Sequence, residues 1–326
     1  MSAYRPLHAV DVVGTVAFLA TIILLGFVVA RVRPLWFARL CCWALVLAGV
    51  VGSERLNTPE PAGFRMLAII GALLYGMKAV VSVEVQTHRA RPLSIGRWLG
   101  FAALWPGMRP GPFARRAVAS LPEVGQLFLG GSARLLTGLA MVVLARLAWV
   151  LTSSRLLATP PLLVGLSLIV HFGAFDVLAA AWRWQGVDCQ QLFRSPLRST
   201  NLREFWGRRW NLAFSEMTAI AIYQPLVRVA GRGPALAASF LGSGLLHELA
   251  ISVPVRAGYG LPMTYFMLHG ILMTVEARLA KAKRPIDRVP WIGRVWTFTW
   301  LLAPLPVLFH RPFLAGVVWP LIGLES

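Results

Sequence analysis

Four ionisable residues that fall inside apolar segments crowd into 30 positions: His247, Glu248, His269 and Glu276. Histidine titrates nearest neutral pH, so a His in apolar surroundings suits proton transfer as general base or relay. Ser239, Ser243 and His247 recur every fourth residue and so share one helical face, with Gly242 and Gly244 beside them where a second helix or a ligand can come close. Two readings stay open. The stripe faces a cavity, or it packs against a helix with each serine bonded back one turn and His247 bonded between helices. His269 and Glu276, two turns apart with Tyr265 one turn earlier, pose the same choice between a packed polar seam and a cavity wall that handles protons.

Upstream, residues 199–211 (STNLREFWGRRWN) are dense in aromatics and arginine and lead into an apolar helix. Trp206 and Trp210, one turn apart, suit a membrane interface, and Arg203, Arg208 and Arg209 suit lipid headgroups. Asn211 suits a helix N-cap. Thr200, with Glu204 in the first turn, suits the start of a short helix.

The elements that must position these residues follow from composition. The chain of 326 residues is 57% apolar and 14% charged, with mean hydropathy +0.66, against roughly a quarter charged and under half apolar in soluble domains. A single soluble core is excluded. The net charge of +19 does not point to nucleic acid, because the basic residues sit in short stretches between long apolar runs. Nine segments approach the roughly 20 residues that span a bilayer: 10–30, 35–52, 64–85, 122–151, 160–182, 212–230, 233–255, 261–279 and 291–309. The first reads as a retained helix, too long for a signal-peptide core. The fourth contains Gly130, Gly131, Arg134 and Arg146 and is expected to tilt or break; a tenth stretch, 313–324, is too short to cross. The expected fold is an all-α polytopic membrane protein of about eight or nine transmembrane helices around a central cavity, with residues 1–326 forming one domain.

An ionisable group near the bilayer centre costs about 2.5–3.5 kcal/mol on insertion scales, so Lys78, Glu84, His171, Asp176 and Glu216 also need partners. Cys41, Cys42 and Cys189 show no metal-ligand spacing and no disulfide framework. Stretch 92–113 (PLSIGRWLGFAALWPGMRPGPF) reads as interfacial, with Trp98 and Trp105 at headgroup level, or as the gate of a lipid-facing entrance.

Taken together, FWGRRWN (205–211), SFLGSGLLHEL (239–249) and MLHGILMTVE (267–276) resemble the wax synthase branch of the membrane-bound O-acyltransferases. The likeness covers about 195–280 and depends on all three motifs in this order. The broader superfamily carries an acid where this chain has Arg208, as the wax synthase branch does. The resemblance implies that His247 and Asn211 are the catalytic pair, with His247 as general base and Asn211 polarising a carbonyl. It implies acyl-CoA and an alcohol as substrates, no tightly bound cofactor and no metal. Arg194, Arg198, Arg203, Arg208 and Arg209, with Trp206 and Trp210, would then meet coenzyme A, and Ser239, Ser243, Glu248, His269 and Glu276 would line the cavity. Neither nucleic acid nor a protein partner is implied; membrane lipids are the surroundings. A short-chain or acetyl transferase acting on a small hydroxylated metabolite is the nearest alternative. A proton-coupled transporter using the four clustered ionisable residues is a more distant one, opposed by the absence of internal repeats.

Of the 32 basic residues 29 are Arg, which points to a high-GC bacterium and hence an inner membrane. Basic connections at 31–39, 86–116 and 183–209 share one face, cytoplasmic by the positive-inside rule, whereas 278–294 lies opposite if every segment crosses. One segment between 212 and 279 is therefore expected to enter without crossing. In a cysteine-free background, Gln185→Cys and Lys283→Cys should react with an impermeant thiol reagent from the same side; labelling from opposite sides refutes the re-entrant segment.

Overall fold

The computed structural model describes residues 2–86, 91–115 and 121–324, so Arg89 and Arg116 of the second basic connection lie outside it. Helices dominate throughout, and the described residues contain no strand. Chain order gives α1 (Ala9–Val29), α2 (Leu35–Leu56), α3 (Ala62–Val85), α4 (Ile95–Ala103), α5 (Leu121–Thr152) and α6 (Arg155–Trp184). There follow α7 (202–209), α8 (212–230), α9 (Arg232–Val255), α10 (Leu261–Lys281) and the bent pair α11 (Pro290–Leu308) and α12 (Arg311–Ile322).

Six of these (α1, α2, α3, α5, α6 and α9) are long and apolar enough to cross a bilayer, and the α11–α12 pair, bent by 68°, makes a seventh. The protein is an all-α, multi-pass membrane protein. The remaining expected segments, α8 and α10, are helical but more polar. The first carries Glu216 and Arg228; the second ends in Glu276, Arg278 and Lys281.

Burial ranks the helices. Two-thirds of the apolar window of α3 is buried, 67% against 11% for α5, so α3 is the central post and α5 faces lipid along most of its length. Helix α3 packs on α1 and α2, α5 on α6, and α9 on α10. The break expected as one possibility for 122–151 does not occur, and α5 is one helix of 32 residues. Its glycines serve close approach instead: Gly138 meets the Gly165 backbone of α6, and Gly131 meets the α6 backbone at Val177. Its two arginines are partnered. Arg134 pairs with the buried Asp176 at 2.6 Å, and Arg146 donates to the carbonyls of Ile322 and Gly323 at 2.8 and 2.9 Å.

The interfacial reading of 92–113 is overturned. Trp98 and Trp105 are 1% and 5% exposed, and the Trp98 indole donates to the carbonyl of Ile23 in α1 at 3.0 Å. What draws this segment inward is Lys78, at the middle of α3 and fully buried. An ammonium has three N–H donors and no acceptor. All three are taken, by the carbonyls of Phe101 (2.8 Å), Trp105 (2.7 Å) and Gly107 (2.5 Å), while the Phe101 ring lies 3.9 Å from the nitrogen. The turn after α4 is thereby bolted to the centre of the bundle. Lys78→Met keeps the volume but leaves three carbonyls unpaired, at about 1–3 kcal/mol each. It should lower the thermal unfolding midpoint in detergent by several degrees and expose 101–107 to proteolysis; an unchanged midpoint and cleavage pattern contradict this.

Candidate active site

The polar stripe of α9 is present and its members behave differently. Ser239 bonds back to the Ala235 carbonyl at 2.8 Å, as a packing serine does. Ser243 is buried, and its carbonyl lies 2.7 Å from His247 Nδ1. A carbonyl only accepts, so Nδ1 carries the proton and Nε2 keeps its lone pair. The imidazole sits between the rings of Phe266 and Phe214, at 4.1 and 5.0 Å between centroids. Gly244 lets α9 approach Met263 of α10, and Gly242 lies against Ile222 of α8. Immediately after His247 the helix widens into a π turn, Glu248–Ser252, a feature that concentrates at functional sites.

The second motif is built by capping. Asn201 accepts the Glu204 N–H at 2.7 Å, and Glu204 takes the Thr200 N–H at 3.0 Å, a reciprocal pair that starts α7. The cap is thus Asn201, one residue beyond the Thr200 suggested by sequence. Burial alone would raise the Glu204 carboxyl, but the Thr200 N–H and the Arg209 guanidinium, which grips it at 2.6 and 2.8 Å, outweigh this and hold it below the usual carboxylate range. The remaining N–H groups at the start of α7, those of Leu202 and Arg203, are taken by Glu276 from α10 at 2.9 and 3.3 Å. Trp296 Nε1 donates to the same carboxylate at 3.0 Å.

After the π turn Phe205–Arg209 the chain straightens at Trp210, then turns through a left-handed residue, Asn211, with φ 42° and ψ 63°. Asparagine tolerates that conformation better than most residues. Its Oδ1 accepts the Phe214 N–H at 3.2 Å, so Asn211 is the N-cap of α8, and the amide N–H groups are what it can offer a ligand. The ring of the capped Phe214 is the one beside His247. One residue therefore bridges the two motif residues that sequence placed 36 positions apart.

Trp206 and Trp210 are not interfacial anchors. Trp206 packs against Phe266, His269 and Phe240, and Trp210 stacks on Phe205 at 5.4 Å and meets Phe193 edge-on at 5.0 Å.

A cavity of about 680 Å³ opens beside this assembly, between the ends of α1 and α3, the 92–114 segment, the 188–194 loop and α8. Its wall includes Arg31, Arg91, Arg109, Arg194, Leu212 and Glu216. Neither His247 nor Asn211 is part of its wall, which comes nearest to them at Leu212; none of Ser239, Ser243, Glu248, His269 or Glu276 lines it, nor do Arg203, Arg208, Arg209, Trp206 or Trp210. The expected lining residues hold helices in place instead. Glu248 takes the Met263 N–H at the start of α10 (3.0 Å), His269 Nδ1 lies 2.8 Å from the Tyr265 carbonyl, and Glu276 caps α7. Arg203 and Arg208 are exposed, and Arg209 is committed to Glu204. Glu248 and Glu276 thus act as anchors between elements, while His269 bonds back along its own helix. Of the arginines in the wall, sequence reasoning had singled out Arg194 but missed Arg31, Arg91 and Arg109, although Glu216 stood out as an acid in an apolar segment and Arg109 belongs to the aromatic stretch already singled out.

Residues 189–268 match the model of the Membrane bound O-acyl transferase family. The chain is 34% identical over 136 residues to a long-chain-alcohol O-fatty-acyltransferase of Simmondsia chinensis, covering 36% of this chain and 39% of that protein. It is 31% identical over 139 residues to probable long-chain-alcohol O-fatty-acyltransferase 6 of Arabidopsis thaliana, 37% of this chain and 40% of that one. To acyl-CoA–sterol O-acyltransferase 1 of the same plant it is 29% identical over 144 residues, 41% and 42% of the two chains. The matches span about two-fifths of the length of these relatives. The stretch from the 188–194 loop through α7, α8 and α9 into α10 is thus similar to the membrane bound O-acyl transferase family and to relatives named as long-chain-alcohol O-fatty-acyltransferases.

Proposed function

We propose that the chain transfers an acyl group from acyl-CoA to an alcohol hydroxyl, with a long-chain alcohol as acceptor and a wax-type ester as product. The observation that carries this reading is the orientation of His247. Its Nδ1 proton is spent on the Ser243 carbonyl, so Nε2 is left as an acceptor. In the step proposed, Nε2 takes the hydroxyl proton while the alcohol oxygen attacks the thioester carbonyl carbon. The C–S bond breaks as the C–O bond stands, and the proton passes from Nε2 to the departing thiolate. Asn211, its Oδ1 engaged by Phe214, presents amide N–H groups to the carbonyl oxygen as charge develops there.

The arginines of the cavity suit the phosphates of coenzyme A, since guanidinium groups bind phosphate oxygens in a bidentate fork. Arg31 is held by the carbonyls of Phe27 and Leu93, and Arg194 by Gln190 and the Gln191 carbonyl, leaving Arg91 and Arg109 to make most of the contact. The names of the relatives support long-chain alcohols, and a sterol, as acceptor classes. Assignment to a bacterial inner membrane rests on arginine-rich composition alone; the relatives described are plant proteins and lend it no support.

Detergent-purified protein incubated with a panel of acyl-CoAs and alcohols should release free coenzyme A and form ester. His247→Ala should reduce that rate by about 10²–10⁴ while the protein still purifies folded; full activity in this variant refutes the mechanism. Asn211→Asp keeps an oxygen for the Phe214 N–H and tolerates the left-handed turn, but offers no amide donor. Its rate should fall by about 10²–10³ with little change in unfolding midpoint, and an unimpaired rate removes Asn211 from the chemistry.

A further inference from the structure

The cavity contains one carboxylate aimed at its own arginines. Glu216 lies five residues past Asn211 on α8, and its Oε1 is 2.8 Å from Arg109 Nε. It is also within electrostatic reach of Arg194. The other acid of the wall, Asp188, points to a different partner, Arg183, at 3.6 Å. We propose that Glu216 is a built-in counter-anion. It occupies the arginine site until a ligand of the diphosphate class displaces it, and so selects which anions the cavity admits. Calling that ligand acyl-CoA rests on the acyltransferase reading above; the counter-anion role itself does not.

The strength of the pair suits exchange. The Arg109 side chain is 66% exposed and that of Glu216 21%, and ion pairs open to water to this degree are worth about 0–1 kcal/mol. A carboxylate so held yields to a ligand that brings more charge and more oxygens. A diphosphate does both and spans two guanidinium groups with bidentate contacts. A monocarboxylate does neither. It carries the same group and the same single charge as Glu216, so replacing Glu216 gains nothing and strips an acid of its partner. The cavity thereby distinguishes an activated acyl group on a phosphorylated carrier from the free fatty acid of the same chain length, a discrimination that the apolar acyl chain cannot supply.

Equilibrium binding of inorganic pyrophosphate and of octanoate to the detergent-purified full-length protein tests this without any turnover. Glu216→Gln should bind pyrophosphate about tenfold more tightly than the unaltered protein and should acquire measurable affinity for octanoate. Arg109→Gln, at an exposed position on a turn, should weaken pyrophosphate binding about tenfold and probes the pair from its other side. Unchanged or weaker pyrophosphate binding by Glu216→Gln overturns the proposal, as does indifference of pyrophosphate binding to Arg109→Gln. Coenzyme A is measured in parallel. If both pyrophosphate shifts appear but coenzyme A does not bind, the counter-anion stands and the acyltransferase reading fails. If coenzyme A binds and neither variant shifts pyrophosphate, the reverse holds.

Discussion

Backbone N–H groups at a helix start have no partner within the helix, and in a bilayer no water can reach them. This chain meets that constraint with carboxylates borrowed from other helices. Glu276 of α10 caps α7, and Glu248 of α9 caps α10. Each bond fixes two elements at once. The α9–α10 bond sets the angle at which Phe266 meets His247; the α10–α7 bond sets where Trp210 and Asn211 leave the π turn.

The same economy governs the other side of the cavity. Lys78 spends a buried charge on three carbonyls of one turn, and that turn carries Arg109 and part of the cavity wall. Charges within the bundle are thus arranged in two tiers. Lys78, Asp176, Glu248 and Glu276 are buried and act on the scaffold. Arg91, Arg109, Arg194 and Glu216 border open space, and the Arg109–Glu216 pair is open to water.

Sequence revealed the class of fold plainly, because helices facing lipid must be apolar over a membrane-spanning length, and α1, α2 and α5 each carry such a window. It revealed the two motif residues only through the order of three short motifs; physical reasoning alone read Asn211 as a helix cap, and the structure shows it is one. What sequence could not give was the direction of each polar side chain. Ser239, His269 and Glu276 sit at the spacing of a cavity wall and turn to backbone instead. Trp98, Trp105, Trp206 and Trp210 have the composition of an interface but fold inward, drawn by partners as distant as Ile23 and Lys78. Such choices depend on which helices become neighbours, a property of the assembled bundle and not of any local window.

The π turn at Glu248–Ser252 has a consequence for the geometry of α9. A π turn is a helix holding one extra residue, and one residue corresponds to a rotation of roughly 100° about the axis. The face presented before the turn, with Ser243 and His247, is therefore phased separately from the face after it, where the carbonyls of Val253 and Pro254 receive Arg65 of the central helix. One continuous rod thus meets two neighbours in two azimuths, directing its imidazole inward at one level and gripping the post of the bundle at another.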